Sequence, residues 1–412
     1  MLIRLRSRDG LERIQLPEHA TVADLKKQIN SNLSIPIEDI TLSRNKDLLT
    51  ALDKSGFEDL TRPGTALEKL GIQHGDMVFM HYPFEREVAS TVPRTAYENR
   101  AFGMHMTVDE LVAKQTRIER QEAPHASSAS FERHAADAFQ SYVQGAIAFS
   151  IKRGGLLYGS VDDEGKVSIA AIYEPPQSGS AESLQLERGT EEEERADFVA
   201  KQLGLQKVGW IFAQSTRERD FIMSAEEVCQ MAAMQAELGE RAVTAVVSMS
   251  VTEEGTPEIH FEAFQVSDQT VRLWQEGWFT NSTEFSGVSI LRNPKEPDNK
   301  APVIVAGKDQ GEADNDYLLI PVKILDHEGP LTASFPVENR LLPQGKAELR
   351  HHLQKNRARP YAERLSDFHL LLYLAKQPNL DLADLAVIIE AVKTRADVPE
   401  GYTLIIDSLA EL

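Results

Sequence analysis

The sequence predicts a multidomain chain of mixed α+β and α/β type. Near the N-terminus, residues that alternate apolar and charged are followed by a stretch of helical spacing, so strand and helix signals interleave from the start. Through the middle of the chain, glycine-bounded apolar runs alternate with longer stretches of 3.6-residue period. The length of 412 residues fits about two to four domains.

Ile3 and Leu5 alternate with Arg4 and Arg6, the pattern of a half-buried strand. Asp9-Gly10 is a turn signal, and Ile14 and Leu16 resume the alternation, so a β-hairpin is expected. Thr21 and Asp24 make a capping box in which Asp replaces the usual Glu, and Val22, Leu25 and Ile29 share the helical face behind it. Pro36 ends that helix, and Ile40 to Ser43 reads as a third strand. Leu67, Leu70 and Ile72 lead through the turn His74-Gly75-Asp76 into a strand over Met77 to Met80.

Glu85 to Gly103 has no sustained periodicity and reads as a linker. Val108, Leu111, Val112 and Ile118 share a face, and Thr107 with Glu110 forms a capping signature, so a helix is expected over Met106 to Glu122. Spacing leaves open whether it packs on its own chain or docks on a partner. Phe139, Tyr142, Val143 and Ile147 give the next helix, and GGLLYG (Gly154 to Gly159) and Ile169 to Tyr173 give strands. A helix over Glu191 to Leu203 precedes a strand over Val208 to Phe212, and its acidic start, Glu191 to Glu194, reads as a solvated face. A helix from about Ser224 follows, then strands over Val243 to Val251 and His260 to Val266. Asn293 to Asp316 reads as a long exposed loop around one short strand, with Tyr317 to Ile324 as a further strand. Ser366 is placed to cap a helix over Asp367 to Gln377, and Leu382, Leu385, Ile388, Ile389 and Val392 mark a second helix, the two forming a terminal pair.

Composition narrows the function. Hydrophobic residues at 42% and charged residues at 26% describe a foldable globular chain. A net charge of -20 argues against nucleic acid or an anionic lipid surface as partner, because phosphate binding needs clustered Lys and Arg. The single cysteine, Cys229, leaves no disulfide framework and no Cys-rich zinc module, which fits a reducing compartment. Neither a secretory signal nor an apolar run of about 18 residues is visible, so no membrane insertion is expected. The histidines offer no metal cluster: His351-His352 reads as a solvated pair, and His260 and His369 as core residues. GGLLYG lacks the Gly-Lys-Ser/Thr of a phosphate loop, and no cofactor is expected.

The order of elements over residues 1–82, closing on LGIQHGDMVFM, resembles a ubiquitin-like β-grasp domain. In that resemblance Arg44, Asn45 and Lys46 lie in the loop after the third strand, where related domains contact partners; a plain solvated loop is the alternative. GGLLYG, AAIYEPPQ (Ala170 to Gln177), KVGWIF (Lys207 to Phe212), VTAVV (Val243 to Val247) and HFEAFQVSDQ (His260 to Gln269) resemble an MPN (JAMM-like) α/β domain. With MTVDELVAKQTRIERQ, FPVENR (Phe335 to Arg340) and SDFHLLLYL (Ser366 to Leu374), they resemble more narrowly the nuclear protein localisation 4 family. The implied organisation is a ubiquitin-like domain at 1–82, a linker at 83–105, a connecting helix at 106–126, the MPN domain at 127–275 and a C-terminal mixed region at 276–412.

Active MPN isopeptidases place two histidines one residue apart on a Val-Gly-Trp strand, with an aspartate as third zinc ligand and a glutamate as general base. Here the resemblance puts Lys152 at the base, Phe212 and Gln214 at the histidines and Ala225 at the aspartate, with Glu226 and Glu227 adjacent and Ser224 at the serine. An open catalytic zinc site needs about three protein ligands, so the resemblance implies a chain that is not an enzyme. It implies instead a substrate-recruiting adaptor of a Cdc48-type AAA ATPase, paired with ubiquitin fusion degradation protein 1 and receiving polyubiquitinated proteins. The setting would be cytoplasm and nucleus, reaching the endoplasmic reticulum through partners. Longer family members carry zinc modules that one cysteine cannot build, so this resembles a short form. A zinc isopeptidase with relocated ligands and an MPN scaffold subunit are the alternatives.

Overall fold

Ile3 and Leu5 drive the first strand into the core of a small sheet, as their alternation requires. In a computed structural model describing residues 1–7, 10–17, 19–50, 56–57, 60–84, 116–251 and 256–412, Leu2–Ser7 pairs antiparallel with Gly10–Gln15, setting Ile3 against Ile14. It also runs parallel to Met77–His81, and Thr41–Ser43 closes the sheet antiparallel to that strand. Thr21 and Asp24 form the full capping box on helix Val22–Leu33, with the Thr21 backbone N–H donating to Asp24 Oδ2 at 2.9 Å. That helix lays Val22, Leu25 and Ile29 on Ile3, Leu5, Leu42 and Val78. The N-terminal domain is therefore β-grasp-like, and the chain is a multidomain α+β protein.

By internal contacts the chain forms two units. One comprises Met1–Gln121, Glu218–Gln230 and Ser267–Leu319; the other comprises Glu122–Arg217, Met231–Val266 and Ile320–Leu412. The second is built on an eight-stranded mixed sheet in the order Leu319–Val322, Pro257–Val266, Val243–Val251, Gln206–Ala213, Arg153–Val161, Lys166–Tyr173, Ser128–Glu132, Ile324–His327. Helix Arg133–Gly145 buries Phe139 and Val143 against one face, with Ile169, Ile211 and Ala245. Helices Glu191–Leu203, Phe368–Ala375 and Leu382–Thr394 pack on one another, and the Tyr158 ring meets Phe368 at 5.5 Å. No helix among the described residues is long and apolar enough to cross a membrane.

Several expectations need correction. The Glu85–Gly103 linker and the first part of the helix expected over Met106 to Glu122 lie outside the described residues, but Thr116–Ile118 is a strand, parallel to Val303–Val305. β-branched Thr116 and Ile118 gain a strand partner there that outweighs their helical spacing. Asn293 to Asp316 holds three short strands, Val303–Val305, Lys308–Gln310 and Glu312–Asp314, not one. Asp367, not Ser366, caps the helix Phe368–Ala375. A third helix, Glu400–Leu409, follows the expected pair. Glu193 is not solvated: it is buried between Arg188 and Lys207, whose Nζ lies 2.5 Å from Oε1. His352 is buried too, its Nε2 2.8 Å from the Arg364 carbonyl oxygen, whereas His260 is part-exposed and meets Ser250 Oγ at 2.7 Å.

Candidate functional site

The Val-Gly-Trp strand takes its shape from Gly209. The strand bulges between Lys207 and Gly209, where Gly209 sits at φ +155°. A Cβ at this position would lie 2.0 Å from the Val243 carbonyl oxygen, so glycine lets Gln206–Ala213 run parallel and close to Val243–Val251. Alternation then sends Ile211 and Ala213 into the cluster around Phe139 and turns Trp210 and Phe212 to the opposite face. Trp210 Nε1 donates to Thr244 Oγ1 at 2.8 Å. The Phe212 ring stacks on Trp210, with centroids 4.8 Å apart and planes 21° from parallel.

Lys152 and Phe212 are brought together: Lys152 Nζ lies 6.0 Å from the Phe212 ring centroid, a cation–π distance. Gln214 follows just after the strand, its backbone N–H donating to the Val247 carbonyl at 2.9 Å. All three side chains are buried, Lys152 to 2% exposure and Phe212 to 1%. A phenyl ring has no lone pair for a metal and an ammonium repels one, so the donor set at these positions is unsuited to a divalent cation. Among the described residues no group of three or more His, Cys, Asp and Glu side chains is placed to hold a metal.

The remaining positions belong to the first unit and serve a helix start. Ala225 is buried in the first turn of Ala225–Leu238. The Ser224 N–H donates to Glu227 Oε2 at 2.7 Å while Ser224 Oγ accepts from the Glu227 N–H at 3.2 Å, a reciprocal cap. Glu227 also takes both contacts from Arg219 Nη1, at 3.1 and 3.2 Å. Burial pushes the Cys229 thiol up to about 12, which removes it as a nucleophile at neutral pH.

Composition and spacing did not reveal the polar hub that joins the longer motifs. Glu174, fully buried, accepts from Arg153 Nε at 2.7 Å and from Arg340 Nε and Nη2 at 3.0 and 2.5 Å. Its backbone N–H donates to Glu338 Oε1 at 3.0 Å, and its carbonyl accepts from Asn339 Nδ2 at 2.9 Å. Glu338 in turn holds His369 Nδ1 at 2.8 Å. Burial alone would lower the His369 imidazole, but the charge and hydrogen bond of Glu338 outweigh it and hold His369 above its ordinary value; the same pairing holds Glu338 below its own against burial. Asp367 accepts the Ser334 and Phe335 N–H groups at 2.7 and 2.9 Å while capping the next helix. Gln177 clasps Gly154 through both its backbone groups, each at 2.8 Å. GGLLYG, EPPQ, FPVENR and SDFHLLLYL are thus one interlocked assembly within the second unit.

In the first unit, Arg44, Asn45 and Lys46 are exposed at the end of the third strand. Arg44 Nη1 donates to the Leu70 carbonyl at 2.8 Å, and Asn45 caps a short 3-10 turn. They line a cleft of about 580 Å³ with Arg4, Asp76, Glu218 and Asp220.

Residues 1–81 match the model of the nuclear pore localisation protein NPL4, and residues 153–303 match that of the NPL4 family. NPL4-like protein 2 of Arabidopsis thaliana is 43% identical over 417 residues, covering 100% of this chain and 99% of its own length. The chain belongs to the NPL4 family. An NPL4-like protein of rice (Oryza sativa subsp. japonica) is 40% identical across the full length of both chains. The human nuclear protein localization protein 4 homolog is 28% identical over 68% of this chain and 53% of its own length. A solution structure of a β-grasp-fold-like domain from Arabidopsis is 39% identical, covers 23% of this chain and 91% of its own, and has a TM-score of 0.20.

Proposed function

We propose that this NPL4-family chain is a non-catalytic adaptor of a Cdc48-type AAA ATPase. It acts with ubiquitin fusion degradation protein 1 to bring polyubiquitinated proteins to the ATPase for unfolding, extraction from the endoplasmic reticulum and proteasomal degradation. Its place is the cytoplasm and nucleus, with access to the endoplasmic reticulum through its partners. The functional modules are residues 1–82 for the ATPase and the MPN region at 127–275 with the C-terminal region at 276–412 for ubiquitin.

One observation carries this reading. In a family whose members are named as localisation proteins, the strand that bears zinc ligands in MPN isopeptidases bears Phe212 stacked on Trp210 beneath a buried lysine. Such an arrangement packs these positions with a ring and an ammonium and gives them no means to lower the pKa of a bound water. The domain is then a platform for contact.

Arg44, Asn45 and Lys46 are assigned to the ATPase. Charge reversal by Arg44→Glu with Lys46→Glu in the full chain is expected to weaken binding to the ATPase N-terminal domain at least about tenfold, mainly through a slower association rate. Calorimetric titration with each chain checks it. Equal affinity of the two chains would remove the loop from the interface.

A further inference from the structure

Arg6 lies on the strand face opposite Ile3 and Leu5, where an isolated β-grasp domain offers it only solvent. Here its side chain is 2% exposed and its guanidinium is met by three separate segments of the first unit. Nε donates to Asp314 Oδ2 at 2.5 Å, Nη1 to the Asp220 carbonyl at 3.0 Å and to Asp316 Oδ2 at 3.4 Å, and Nη2 to the Gly287 carbonyl at 3.4 Å. The acceptors are themselves fixed: Asp316 Oδ1 accepts from the Ile222 N–H at 3.3 Å and Asp314 Oδ1 from the Asp316 N–H at 3.0 Å. A second bond, Lys308 Nζ to Glu12 at 2.5 Å, ties the neighbouring strand to the same surface. Burying a guanidinium costs several kcal/mol unless its donors are matched, so a cation placed this way reports a built docking surface.

The docked domain also narrows access to its own basic face. Arg4, Arg44 and Lys46 line the cleft together with Glu218, Arg219 and Asp220, and the Arg219 guanidinium is paired with Glu227. Asp220 is the residue whose carbonyl holds Arg6. The carboxylates of Glu218 and Asp220 thus share the cleft with the basic residues that an acidic partner surface would meet.

We propose that Asp220, Gly287, Asp314 and Asp316, with Glu218 beside them, form a cradle of carbonyl and carboxylate acceptors on which the β-grasp domain is latched by Arg6. An acidic partner surface that engages Arg4, Arg44 and Lys46 must displace this cradle. The latch has its own readout; only the identity of the displacing partner rests on the adaptor reading above.

The test uses the full chain with Glu12→Cys and Lys308→Cys and a short bismaleimide, which joins the two positions only while the domain is docked. Buried Cys229 stays out of the reaction. Adding Arg6→Met, or Asp314→Ala on the cradle side, is expected to lower the cross-linked fraction severalfold. Because Asp314→Ala lies outside the β-grasp domain, misfolding of that domain cannot explain its effect, and an unchanged near-ultraviolet circular dichroism spectrum shows that the cradle itself stays folded. Cross-linking unchanged in both variants would overturn the latch. In the second arm, Arg6→Met in the otherwise native chain is expected to bind the ATPase N-terminal domain about tenfold tighter, the cis competitor having been removed. Lost cross-linking with unchanged affinity would overturn the displacement. Failure of both chains to bind would sink the adaptor reading and the displacement with it, leaving the latch decided by the cross-link.

Discussion

Replacing Glu174 by alanine is expected to destabilise the second unit by about 3–5 kcal/mol, the cost of breaking a buried ion pair from one side. Glu174 is fully buried and pairs with two guanidinium groups, Arg153 at 2.7 Å and Arg340 at 2.5 Å. Each arginine also lies over the Tyr142 ring, at 5.4 and 4.4 Å, so neither can swing out to water without losing that packing. Glu174→Ala would leave two like charges facing one another where a carboxylate stood. Urea unfolding followed by tryptophan fluorescence reads the effect, since Trp210 sits on the sheet of this unit. A loss under about 1 kcal/mol would mean that the arginines find other partners. Glu174→Gln separates charge from shape: it keeps the acceptor oxygen and should still lose most of the stability.

His369→Ala is expected to cost a similar amount, about 3–5 kcal/mol, because it strands the buried Glu338 carboxylate. The pH dependence identifies the mechanism. His369 is held above its ordinary value of 6.5, so its contribution is complete below that pH and is lost as pH rises through the higher folded value. Glu338 is held below its ordinary value of 4.5, so its contribution is complete above that pH and is lost as pH falls through the lower folded value. The contribution of this pair should therefore hold a plateau between these limits and decline on the alkaline side. In His369→Ala the alkaline decline should disappear, as unfolding midpoints measured across the pH range would show. A decline of equal size in both chains would assign it to another group.

Local chemistry explains how far the sequence could be read. The capping box at Thr21 and Asp24 and the helix Glu191–Leu203 were legible because their signals lie within a few residues. The reading of Phe212 and Gln214 as substituted histidine positions came from the resemblance to MPN isopeptidases; strand alternation adds only that such positions share a face. What escaped depends on residues far apart in the chain. Arg340 reaches Glu174 across 166 positions and Arg6 reaches Asp314 across 308, and no periodicity encodes either. Asp367 won the cap from Ser366 because its second oxygen also ties down Ser334 and Phe335. Thr116–Ile118 became a strand because Val303–Val305 supplies an edge that helical spacing cannot foresee.

The most direct measurement incubates the full chain with excess zinc and labelled polyubiquitin chains, then reads capture and cleavage from the same sample. Retention of intact ubiquitin chains, with no shortening at any zinc concentration, is the result expected from the proposed adaptor role, in which Phe212 and Gln214 stand at the histidine positions and Lys152 at the base. Zinc-dependent release of shorter ubiquitin chains, abolished by a chelator, would contradict it.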